Sequence, residues 1–142
     1  MEQKLNKFLS DLIVEYHKLQ QFHWYVKGQD FFPVHAKLEE YYNGFLTMID
    51  DVAEHILMLN GKPVSTLKEF LETSSIKELD GNFISSSEIY EHIVTDFTFL
   101  LEEVIAIKEF ADKENNYMVS ATMDSYIANF TKSLWMIKQQ NL

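Results

Sequence analysis

Residues 32–60 read FPVHAKLEEYYNGFLTMIDDVAEHILMLN, and the spacing of their apolar members decides the fold. Val34, Leu38, Tyr41, Phe45, Met48, Val52, Ile56 and Leu59 follow one another at steps of three and four, which describes a helix with one buried stripe. Pro33 suits the first turn, where its missing N–H costs nothing. Asn60-Gly61-Lys62-Pro63 stops the helix, with Gly61 read as the left-handed cap and Pro63 as the breaker beyond it. Gly44 sits inside the helix at a cost of about 1 kcal/mol relative to alanine.

Working outward, Leu5, Leu9, Leu12, Tyr16, Leu19 and Val26 form a similar seam with a period of about 3.5, and the missing member of that series is His23. Gly28 is read as the stop of this first helix. On the other side, residues 64–84 make a connection too long to be structureless in a compact domain. Thr66-Leu67-Lys68-Glu69 resembles a capping box and predicts a short helix near 66–72, and Ser85-Ser86-Ser87-Glu88 offers a second box. A third long helix then carries Ile89, Ile93, Phe97, Leu100, Val104, Ile107 and Ala111. After the polar turn 112–116, a fourth carries Ala121, Met123, Ile127, Phe130, Leu134 and Ile137. The expected fold is an all-α, four-helix bundle forming one domain over 1–142, with a short helix in a long crossover between the second and third long helices, as in ferritin-like folds.

Composition narrows the function. The chain has 142 residues and a net charge of −10, its 12 basic residues are all lysine, and it has no cysteine. The absence of arginine and the acidic balance argue against a nucleic-acid reader. The absence of cysteine excludes disulfides, a thiol nucleophile, iron–sulfur clusters and thiolate zinc. No apolar run approaches the ~18 residues of a membrane span. Met1-Glu2-Gln3-Lys4-Leu5-Asn6-Lys7 lacks the apolar core of a secretory signal, so a cytoplasmic location is expected.

The remaining signal lies in histidines and carboxylates. His35 and Glu39 are spaced i, i+4, as are Asp50 and Glu54. The step from 39 to 50 is eleven residues, about 20° beyond three full circles of a helix, so all four lie along one stripe. Imidazole and carboxylate suit iron, manganese or zinc. Yet eleven residues rise about 16.5 Å, so Glu39 and Asp50 of one straight helix cannot hold one ion. Either the pairs are unrelated surface features, or the stripe faces a second copy of itself across a twofold axis, which would create two identical sites.

Taken together, His23-Trp24-Tyr25-Val26-Lys27-Gly28, Phe32-Pro33-Val34-His35, Glu39 and Asp50-Asp51-Val52-Ala53-Glu54 resemble the ferroxidase signature of Dps-like mini-ferritins, a family that includes Dps-like peroxide resistance proteins. The likeness continues through Gly61-Lys62-Pro63, residues 65–70 and Lys132-Ser133-Leu134-Trp135-Met136. It implies a hollow homododecamer that oxidises Fe(II), usually with hydrogen peroxide or else with oxygen, and stores ferric mineral. The metal ligands implied are His23, His35 and Glu39 from one subunit with Asp50 and Glu54 from its partner, at a mono-iron or di-iron site that zinc could also occupy. Glu39 stands where the family commonly has Asp. Trp24 would lie beside the iron as an electron donor, its other reading being an interface aromatic. Trp135 is read as core, Tyr25, Tyr41 and Tyr42 as packing residues, and His17, His55 and His92 as structural or exposed. Asp112 matches one of the acids that often line the family's threefold pore, whereas Tyr117 and Ala121 stand where further acids are usual. A DNA-compacting shell of the same fold is the alternative function, disfavoured by the missing basic tail, and a metal-free helical interaction module is a third.

Overall fold

A computed structural model describes residues 1–141. Four long helices run over α1 (Glu2–Tyr25), α2 (Phe31–Met58), α4 (Ser86–Lys113) and α5 (Tyr117–Lys138), with the short α3 (Leu67–Thr73) in the crossover and a 3-10 turn at Gln139–Asn141. Their boundaries follow local chemistry. Thr66 caps α3 by accepting from the Glu69 N–H, and Ser85 and Glu88 close a reciprocal capping box on α4. Asn116 caps α5 by accepting from the Val119 N–H.

Several expectations need correction. The first helix ends at Tyr25 rather than Gly28, because Val26–Lys27 is extended (β1) and pairs in parallel with Ile84–Ser85 (β2), Val26 opposite Ile84. The left-handed residue after α2 is Asn60 (φ 63°), not Gly61. Gly61 is needed for space instead, since a Cβ there would meet Glu2 Cδ at 2.9 Å and Ile56 Cγ2 at 3.0 Å. Trp135 is 59% exposed and lies outside the core, as the neighbouring Leu134 takes the buried position.

The seams otherwise pack as read. Leu5, Leu9, Leu12 and Leu19 of α1, Leu38, Phe45, Val52 and Ile56 of α2, the whole α4 series, and Met123, Phe130 and Ile137 of α5 are buried. Ala121 is exposed, and Val119 is buried in its stead. Phe97 of α4 stacks on Phe45 of α2 at 5.6 Å and meets Phe130 of α5 edge-on at 5.4 Å. Aromatic burial of this size dominates core energetics.

The core also holds charge. Asp11, Glu15 and Lys18 of α1 and Asp96 of α4 are buried. Lys18 Nζ is 2.7 Å from Asp96 Oδ2, while both oxygens of Glu15 lack a donor. Desolvation first, then the Asp96 charge, pushes the Glu15 carboxyl far up, so it faces Asp96 protonated. Farther along the α1–α4 contact, Glu103 faces Asp11, which takes hydrogen bonds from Lys7, Ser74 Oγ and the Ser75 N–H. Burial and the neighbouring Asp11 push the Glu103 carboxyl up to about 9. Two acid–acid contacts, each beside one lysine, therefore bridge α1 and α4.

Candidate metal centre

The centre is assembled where the last turn of α1 meets the first turns of α2. His23 and His35 bind each other's backbone: His23 Nδ1 lies 2.7 Å from the His35 carbonyl, and His35 Nδ1 lies 2.7 Å from the His23 carbonyl. A carbonyl only accepts, so each Nδ1 carries a hydrogen, and in the neutral tautomer that this selects the lone pair lies on Nε2. A metal-binding imidazole is commonly fixed in this way, through its second nitrogen. The rings stack with centroids 3.6 Å apart and planes 15° from parallel, and Phe31 stacks on the far side of His35 at 4.8 Å.

Helical periodicity then brings Glu39 onto the His35 face, one turn on. Glu39 is exposed, and its Oε1 accepts from the Tyr42 hydroxyl at 3.3 Å. The Tyr42 ring lies edge-on to His23 at 5.3 Å and to Tyr16 at 5.8 Å. Desolvation, then the Glu39 charge, holds the Tyr42 phenol above its ordinary value, so it is a donor at neutral pH. Tyr42 is the neighbour that the sequence reading set aside as packing. Its spacing of three residues from Glu39 and seven from His35 was the available signal.

Asp50 and Glu54 are exposed farther along α2. That helix is unbroken from Phe31 to Met58, so the rise of about 16.5 Å between Glu39 and Asp50 stands. Among the described residues no group of three or more His, Asp or Glu side chains converges on one point within a protomer. The structure brings His23 and His35 together, sets Glu39 one helical turn beyond His35 on the same face, and leaves Asp50 and Glu54 farther along α2. Trp24 is 55% exposed, with its ring edge-on to His17 at 5.8 Å. His55 is structural: Nδ1 meets the Asp51 carbonyl at 2.6 Å and Nε2 meets Thr122 Oγ1 at 2.8 Å, tying α2 to α5. His92 stacks on Phe22. At the α4–α5 corner Lys108 Nζ sits 2.8 Å from Asp124 and 3.9 Å from Asp112, and Tyr117 at the start of α5 is exposed. No described helix is long and apolar enough to cross a membrane.

The ferritin-like domain family model matches residues 2–141. General stress protein 20U of Bacillus subtilis is 42% identical over 136 residues, covering 96% of this chain and 93% of that protein. A DNA protection during starvation protein of Helicobacter pylori is 37% identical over 134 residues, covering 94% of this chain and 93% of its own length. The crystal structure of a Dps protein from Bacillus brevis superposes with a TM-score of 0.95 at 34% identity, covering 99% of this chain and 94% of that one.

Proposed function

The chain belongs to the Dps family of the ferritin-like superfamily, and from that membership we propose that it detoxifies and stores iron, oxidising Fe(II) with hydrogen peroxide at sites shared between twofold-related subunits of a dodecameric shell. The observation that carries this reading is the reciprocal His23–His35 lock, which aims two imidazoles for coordination and leaves both Nε2 lone pairs unused. His23, His35 and Glu39 form one half of the site, and Asp50 and Glu54 of the partner complete it. Two helices crossing antiparallel on a twofold axis make that contact twice, which removes the conflict posed by the 16.5 Å rise. The anionic Asp50 and Glu54 are the strong ligands, and the few donors leave positions open for oxidant. Zinc, which takes the same donors, competes for the site.

In peroxide chemistry two Fe(II) each lose one electron, the O–O bond breaks, and hydrolysis of the two Fe(III) to oxyhydroxide releases four protons. Paired oxidation avoids hydroxyl radical. Trp24, next to His23 in the sequence and open to solvent, supplies an electron when a single iron reacts alone. Large exposed apolar side chains such as Phe32, Leu67, Trp135 and Met136 fit a protomer that works as part of an assembly.

The test starts with size. Twelve copies of 16.7 kDa elute near about 200 kDa, against one or two copies for a bundle module. Anaerobic Fe(II) loading followed by peroxide is then expected to give rapid ferric absorbance at two Fe(II) per peroxide. A one-to-one ratio with spin-trapped hydroxyl radical would count against paired oxidation.

Direct DNA compaction is the second reading. At −10 per chain the shell carries about −120, which repels phosphate. A gel shift at low and moderate salt is expected to show free DNA throughout, and a stable complex at moderate salt would overturn that expectation.

A further inference from the structure

Tyr42 is not among the ligands just assigned, yet it touches two of them. Its hydroxyl donates to Glu39 Oε1 at 3.3 Å and its ring lies edge-on to His23 at 5.3 Å. Resting on the half-site reading above, we propose that Tyr42 is a positioning residue for iron, holding Glu39 Oε1 so that Oε2 is presented beside the His23–His35 pair. The reason is the length of the carboxylate side chain. A glutamate has one more rotatable bond than an aspartate, and an exposed glutamate at a helix surface spreads over many rotamers. A phenol three residues on stands on the same helical face and offers a neutral donor, which restrains the carboxylate without neutralising it.

Tyr42 is itself braced. Tyr16 of α1 meets its ring at 5.8 Å and 90°. The tyrosine therefore takes its bearing from α1 and transmits it to Glu39 on α2, while its ring edge-on contact steadies His23 on α1. The column Phe31, His35 and His23, closed by Tyr42, sets the imidazoles and the carboxylate in one frame.

The test is a double-mutant cycle on the full assembly with Tyr42→Phe, Glu39→Ala and both together. Anaerobic Co(II) titration serves as the probe, reading affinity and the visible absorption that reports coordination geometry. Tyr42→Phe keeps the ring and its packing, so the shell should elute unchanged. Co(II) affinity is expected to fall roughly tenfold, the lower end for removing a ligand's supporting hydrogen bond, with an altered visible spectrum. In the Glu39→Ala background the same change should do nothing further. An unaltered affinity in Tyr42→Phe, or an equal loss in both backgrounds, would overturn the proposal and leave the half-site standing. An unaltered affinity in Glu39→Ala would remove Glu39 from the site, and the role of Tyr42 with it.

Discussion

Shells assembled from His35→Ala subunits alone, or from Asp50→Ala subunits alone, are expected to oxidise Fe(II) with peroxide at least roughly 100-fold more slowly than wild type, the upper end of what loss of a mere supporting contact costs. Shells assembled from an equal mixture of the two should recover. The arithmetic follows from the twofold axis. Where one variant pairs with the other, one of the two sites loses both ligands and the other keeps both. Random mixing pairs unlike subunits at about half of the interfaces, so about a quarter of all sites are intact. Initial rates near a quarter of wild type are the expected readout. Ligands drawn from a single chain would give no recovery, because each subunit would carry one lesion. Asp50 is exposed, and although His35→Ala removes one of the two reciprocal bonds, the His35 backbone carbonyl that holds His23 survives. Recovery by mixing would therefore report where the ligands come from rather than how well the chain folds.

The second large effect concerns stability against pH. The Glu103 carboxyl is pushed up to about 9 from an ordinary 4.5 by burial and by Asp11. The folded state thus holds its proton more tightly than the unfolded state. The stability due to that proton is fully present below the unfolded value and is lost as pH rises through the folded one. Between about pH 4.5 and 9 each unit costs up to about 1.4 kcal/mol per such group. Glu103→Gln keeps the shape and supplies a permanent N–H donor toward Asp11, so it should flatten the fall of melting temperature between pH 5 and 9 and raise it most at the alkaline end. Thermal unfolding at several pH values measures this, and a slope identical to wild type would sink the assignment. Glu15 remains in the variant as the second protonated acid, so part of the slope persists.

Much of this was legible in the sequence because helical burial leaves a period. The series from Ile89 to Ala111 and from Val34 to Ile56 lies inside almost residue for residue. The cap at Thr66 and the capping box at Ser85 were legible because their chemistry is local. The extended pairing of Val26–Lys27 was not, because two residues carry no period and the partner lies far along the chain. Trp135 was misplaced because adjacent apolar residues compete for one buried position and only packing selects Leu134. Nothing in the local sequence around Asp11, Glu15 and Lys18 tells that α4 will bring Asp96 and Glu103 against them. At the site, the residue types and their spacing were readable, but the exchange of Nδ1 hydrogen bonds between His23 and His35 depends on how two helices meet.

The brief parallel pairing of Val26–Lys27 with Ile84–Ser85 has a consequence for how the chain reaches its form. The closest associations of the bundle are between α1 and α2 and between α4 and α5, neighbours along the chain. The polypeptide is thus a pair of hairpins that can each collapse early, joined by a tether of more than twenty residues. Such a tether is long enough for one molecule's hairpin to dock on another's. Clasping the end of α1 to the start of α4 closes the tether onto its own molecule, which favours self-docking over exchange before any shell can form.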